Sequence, residues 1–205
     1  MKKHFRLGIR TAATVLGVAT VALSPVLASA ASDTVNTTVN AVIASTISMT
    51  TSGTVTLNIT PVSGGSQTSA VDTVTVNSNN AAGYTLAIKD ADATLALENG
   101  ANTIAASSNT FAAAAALANN TWGWAVPDTT TGIGANNFDT TYAVLNNVTS
   151  SSTTWAGITA SDQIFKSTTG VASGDTVSVW YSAKADTSKP NGTYADIVTY
   201  TATTK

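Results

Sequence analysis

The sequence predicts an all-β fold, a sandwich of antiparallel sheets with one short helix, and three observations carry that expectation. Apolar residues recur at period two, turn-forming residues interrupt them at short intervals, and charged residues make up only 10% of the chain. Strict alternation marks strands with one buried face. Many short strands joined by short turns mark packed antiparallel sheets. Thr, Ser, Asn, Ala and Gly dominate, a mixture also found in disordered chains. Low charge and regularly spaced Val, Ile, Leu, Tyr and Trp argue against disorder here.

The elements begin with an export signal over residues 1–30. Lys2, Lys3, His4, Arg6 and Arg10 form a basic start, and residues 11–23 (TAATVLGVATVAL) are uncharged. Pro25 breaks any helix there, and Ala28-Ser29-Ala30 places small residues at −3 and −1, so cleavage is expected before Ala31. A spanning helix needs roughly 20 continuous apolar residues. This run is diluted by Ser, Thr, Gly and Pro, which favours cleavage over anchoring.

Cleavage changes the chemistry of the remainder. Five Lys are left, with no Arg, His or Cys, against eleven acids, a net charge of −6. Nucleic acid and anionic lipid both require clustered Lys and Arg, so no nucleic-acid partner is expected, and no membrane after cleavage. Without Cys there is neither a disulfide framework nor a lipid attachment point. About 175 residues suffice to bury a core without such staples. The closing TYTATTK has no sorting motif, so the protein is expected to be held at a surface noncovalently or to be released. Residues 31–205 read as one domain, with 31–50 as an extended N-terminal strand.

Strands are expected at 35–49, 54–60, 70–78, 83–89, 93–97, 102–106, 121–126, 141–146, 153–158, 163–166, 176–185 and 193–203. Alternation is clearest in Val74-Thr75-Val76, in Tyr84 to Lys89, and in the series Val177, Val179, Tyr181, Ala183, Ala185. Ser63-Gly64-Gly65-Ser66, Asn79 to Gly83, Glu98-Asn99-Gly100, Ser173-Gly174-Asp175 and Lys189-Pro190-Asn191-Gly192 supply the turns between runs. The exception is Thr110 to Asn119 (TFAAAAALAN). Alanine is the best helix former, and Asn109 or Thr110 can cap, so this segment is expected to be the helix.

Two segments together carry a resemblance: VTVNSNNAAGYTLAIKD (74–90) and VSVWYSAKADTSKPNGTYADIVTYT (177–201). The pair resembles repetitive secreted surface proteins of small-genome bacteria, with an NN-x-x-GYTL strand pair, a Trp-rich middle and a closing P-x-GTY hairpin. The hairpin is also distantly similar to the end of WxL wall-binding domains. Here Tyr200 and Ala202 stand where those have Trp and Leu, and Trp122-Gly123-Trp124 departs from the motif as well. The resemblance covers about half of the mature chain. It implies an extracellular Ig-like sandwich and permits wall binding.

Catalytic equipment is missing from the mature residues. Without His or Cys, no Ser-His-Asp or Cys-His triad, no His/Cys zinc site and no redox pair can be built. No Lys has Ser three residues before it, which removes the Ser-x-x-Lys nucleophile. A glycosidase needs only two carboxylates, and Asp90 and Asp92 are the closest local pair. With Glu98 they read as turn residues, so no enzyme, cofactor or metal is expected. Asp90 and Asp92, with Glu98 near in sequence, nevertheless offer oxygens of the kind Ca²⁺ takes. By resemblance to pilin and adhesin domains, a Lys–Asn crosslink would need a buried Lys. Lys89 and Lys184 fall on the polar faces of their strands, which argues against it.

The aromatics hold the remaining signal. Trp122 and Trp124, two apart on a strand, share one face. Trp180 falls on a polar face with Ser178, Ser182 and Lys184. Core and edge packing is the ordinary role of such residues. If any of them makes an external contact, an uncharged glycan, on whose sugar rings aromatic faces stack, or a partner subunit is expected. The sequence therefore predicts a noncatalytic secreted or cell-surface structural or attachment protein of a bacterial envelope. Its expected partners are other surface-protein subunits or, alternatively, a cell-wall or surface glycan held by the Trp cluster.

Overall fold

The computed structural model describes residues 30–92, 94–127, 138–139 and 141–205. Ala28, in the expected cleavage motif, lies outside these residues, while Ala30 and Ala31 are exposed without regular structure. Met1–Ala41 and Val42–Lys205 form separate units. The described part of the first, residues 30–41, is exposed and carries no strand.

The second unit is all-β. Its strands are β1 (Ile47–Thr50), β2 (Ser66–Ser78), β3 (Tyr84–Asp90), β4 (Ala96–Asn99), β5 (Asn102–Ala106), β6 (Thr121–Ala125), β7 (Gln163–Ser167), β8 (Ala172–Ala185) and β9 (Val198–Thr204). They form a six-stranded sheet in the order β1-β2-β8-β6-β5-β4 and a three-stranded sheet in the order β7-β3-β9. Every pairing is antiparallel except β5 with β6, where Ala105 and Ala106 run parallel to Thr121 and Trp122.

The two longest strands, β2 and β8, form the central pair, in register from Ser66↔Ala185 to Val76↔Asp175 with an irregularity before Ser78↔Ala172. Their alternation turns Val74 and Val76 of β2, and Val179, Tyr181, Ala183 and Ala185 of β8, into the core. From the other sheet β3 sends Tyr84, Leu86 and Ile88 into the same cluster, joined by Phe165 of β7. Period-two patterning thus decides which face is buried, since a one-residue slip would expose the whole apolar set.

Three expectations are corrected. The Ala-rich segment is not helical. Residues 110–119 form turns and isolated bridges, Thr110↔Ala113 and Ala115↔Trp155. Asn109 does not cap a helix but donates from Nδ2 to the carbonyls of Ala115, Ala116 and Trp155. A helix this short is marginal on propensity alone, and the segment instead buries Phe111, Ala114 and Leu117. Of the expected 35–49 strand only β1 forms. Residues 54–60 alternate as expected, with Val55, Leu57 and Ile59 half-buried against the core, yet pair with no strand.

Segments 141–146 and 153–158 follow the same rule of burial without a continuous ladder. Ser69 N donates to the Val144 carbonyl, and Val144 N donates to the Ser69 hydroxyl. Trp124 and Ala156 exchange two backbone hydrogen bonds. The two segments run beside β2 and β6 of the six-stranded sheet, and their side chains Tyr142, Val144 and Trp155 form a second apolar cluster.

Candidate functional site

Strand β6 places Trp122 opposite Ala183 and Trp124 opposite Tyr181. The expectation that the two indoles share a face holds, but that face is the core: Trp122 is 2% exposed and Trp124 1%. Phe111 stacks on Trp124 with ring centroids 5.5 Å apart, and Phe165 meets it edge-on at 5.7 Å. Each indole N–H is satisfied internally, Trp122 by the Leu95 carbonyl and Trp124 by that of Gly157, both at 3.2 Å. These two residues are therefore withdrawn as ligand contacts. The β2–β8–β6 layer is covered on this side by the second sheet, so an aromatic here packs.

Trp180 faces the other way and is half-buried. It stacks on Tyr142, centroids 6.3 Å apart at 28°, beside a second apolar cluster of Leu117, Ala125, Tyr142, Val144 and Trp155. The polar-face position read from sequence is right, and Tyr142 of segment 141–146 packs on the ring. Trp155 lies at the bottom of this cluster, fully buried, with its indole N–H on Thr153 Oγ1. Sequence reasoning gave Trp155 no role. Its only signal was its place in the expected strand 153–158.

The acidic residues make a different arrangement. The β3–β9 register runs from Tyr84↔Thr204 to Asp90↔Val198, and Ala91 N still donates to the Ile197 carbonyl beyond the strand ends. Continued by one more pair, the register sets Asp92 across from Asp196, with Asp90 diagonal to it. Asp90 also continues the core-facing series of Tyr84, Leu86 and Ile88 and is only 2% exposed. One carboxylate oxygen from each of Asp90, Asp92 and Asp196 lies within 4.8 Å of the others.

Each Oδ1 accepts a local backbone N–H: Asp90 from Asp92, Asp92 from Thr94, and Asp196 from Ile197. Oδ2 of Asp90 and Oδ2 of Asp196 are buried with no hydrogen-bond partner. Burial pushes the Asp196 carboxyl up to about 7, helped by the negative charges of Asp90 and Asp92 and opposed by the Ile197 N–H. Glu98, expected as the third acid, does not join. It is exposed, and β4 meets this region only through backbone bonds between Glu98 and Ala195. Asp196 takes its place because pairing across the sheet brings together residues 106 positions apart.

Other charged groups serve structure. Asp175 accepts from Lys166 Nζ at 2.6 Å and from the Tyr84 hydroxyl at 2.7 Å. Lys89 lies 3.9 Å from Asp162 at the surface, and Lys184 is half-buried on β8. Tyr181 and Tyr200 share a 2.6 Å hydroxyl contact, and burial raises both phenols. A shallow groove of about 360 Å³ between the β1–β2 end and the start of β8 is lined by Thr46, Ile47, Ser48, Asn77, Asn79 and Ala172 among others, with no ionisable side chain.

No family model, curated protein or solved structure matches this chain.

Proposed function

We propose that the protein is a noncatalytic, exported structural or attachment component of a bacterial envelope, its strands arranged as an Ig-like sandwich. The observation that carries the reading is how the chemistry-bearing side chains are spent. Trp122, Trp124, Tyr181 and Asp175 hold the two sheets and their loops together. The groove beside β1 offers hydroxyls and amides, with no acid, base or nucleophile pair. The shared core of a six- and a three-stranded sheet supports the sandwich. The parallel β5–β6 contact is its departure from a purely antiparallel plan.

Fractionating native cells into cytoplasm, membrane, wall and medium tests the localisation. Mature chain beginning at Ala31 in the wall or medium agrees with the proposal, whereas full-length chain retained in the cytoplasm overturns it. A second reading, binding of an uncharged glycan, is favoured by one observation only, the half-exposed Trp180 ring stacked on Tyr142. Trp180→Ala should then abolish retention on isolated walls while the protein stays folded. Retention unchanged by the substitution leaves the structural role alone.

A further inference from the structure

We propose that Asp90, Asp92 and Asp196 form a Ca²⁺ site at the open end of the three-stranded sheet, where β3 leaves it and β9 enters. The cluster of acids alone would say little. What points to a ligand is Asp90, a carboxylate on the core-facing side of β3, 2% exposed, with Oδ2 unpartnered. Asp196 presents a second buried, unpartnered oxygen to the same place. A buried carboxylate without a partner is expensive, and in a native fold it calls for an ion, a water or a proton.

No cation among the described residues fills the need. Among the described residues the ion pairs are Lys89–Asp162 and Lys166–Asp175, and neither reaches these acids. Lys89 is adjacent to Asp90 in sequence but lies on the opposite face of β3, paired at the surface.

The geometry suits Ca²⁺. That ion takes oxygen ligands at about 2.3–2.6 Å in a flexible shell of 6–8, so oxygens up to about 4.8 Å apart can share it from opposite sides. The carboxylates here lie within that span. Buried Asp90 and half-buried Asp196 would anchor the ion, and exposed Asp92 leaves room for water to complete the shell. Mg²⁺ demands a tighter octahedron at about 2.0–2.1 Å. The site would tie the end of β3 to the chain entering β9, a junction held otherwise by the last β3–β9 pair, Asp90↔Val198, and the Ala91–Ile197 backbone bond.

Thermal melting and isothermal titration of the EDTA-stripped protein at pH 8, with CaCl₂ or MgCl₂ as the only added divalent salt, test this. A saturable rise in Tm of several degrees with millimolar Ca²⁺, and a much smaller one with Mg²⁺, is expected. Asp196→Asn should be at least as stable as the parent in EDTA, because it relieves the carboxylate repulsion, and should lose the Ca²⁺ response. The exposed Asp92→Asn, which does not disturb the core, should weaken Ca²⁺ binding tenfold or more. A parent indifferent to Ca²⁺ would overturn the site and leave Asp90 and Asp196 sharing a proton. So would equal responses to both metals, or a full Ca²⁺ response in both variants.

Discussion

Gly123 lies between two tryptophans that both face the core, and its own open side faces the backbone of segment 153–158. A Cβ there would strike the Ala156 carbonyl, with a Leu117 methyl close behind at 3.4 Å. Trp124 and Ala156 are fixed to one another by two backbone bonds of 2.8 and 2.9 Å, so neither side yields easily. Gly123→Ala should therefore cost about 1–3 kcal/mol, the usual range for overpacking, measurable by urea denaturation. Asp175 links stability to pH. Burial by itself would raise its carboxyl, but hydrogen bonds from Lys166 and Tyr84 and the Lys166 charge hold it below the ordinary carboxylate value. A carboxylate with a lowered folded-state pKa adds stability that is complete above the unfolded value, near pH 4, and is lost as pH falls through the lowered one. Tm measured from pH 5 to pH 2 should fall less steeply in Asp175→Asn than in the parent. The variant should start from a lower Tm at pH 7.

At the scale of elements, the six-stranded sheet has two different faces. One packs through Trp124, Val179 and Tyr181 against the three-stranded sheet, and the other carries Ala125 and Trp180 under segment 141–146. Trp124→Ala empties a closed site and should cost about 3–5 kcal/mol. Trp180→Ala, at a half-exposed site, should cost clearly less. Equal losses in denaturant titrations would show that the outer cluster is as closed as the core. The Ala-rich element teaches the complementary point. Its alanines favour a helix locally, but Asn109 binds three carbonyls across the loop and Ala115 exchanges backbone bonds with Trp155. Once those groups are satisfied elsewhere, the helix has nothing left to offer them.

For the molecule as a whole, the two sheets share one apolar cluster, and β2 spans the length of the larger sheet beside β8. The main cluster cannot open without exposing residues from both sheets. The purified protein should accordingly show a β-type far-ultraviolet circular dichroism spectrum without helical minima. It should lose that signal and its Trp fluorescence in one coincident transition, unaffected by reductant because it has no thiol. Separate midpoints for the two signals would mean that the outer Trp155–Trp180 cluster melts independently.

Alternation and turn residues, read from sequence alone, determined the all-β class, the core faces of β2, β3 and β8, and the polar-face position of Trp180. They do so because side-chain direction in a strand depends only on position along the chain. The missing continuous ladders at 54–60, 141–146 and 153–158 were decided by tertiary structure, since a ladder needs a neighbouring strand held in register as well as an alternating pattern. Segments 141–146 and 153–158 meet the backbones of β2 and β6 only through isolated bonds. The same holds for Trp122 and Trp124. Sequence showed that they share a face, and only the arrival of the second sheet made that face the core. Glu98 was the nearest acid to Asp90 and Asp92 in sequence, and Asp196 is their neighbour in space. The β3–β9 register makes that choice, because cross-strand pairing is set by long-range hydrogen bonds that no local pattern records.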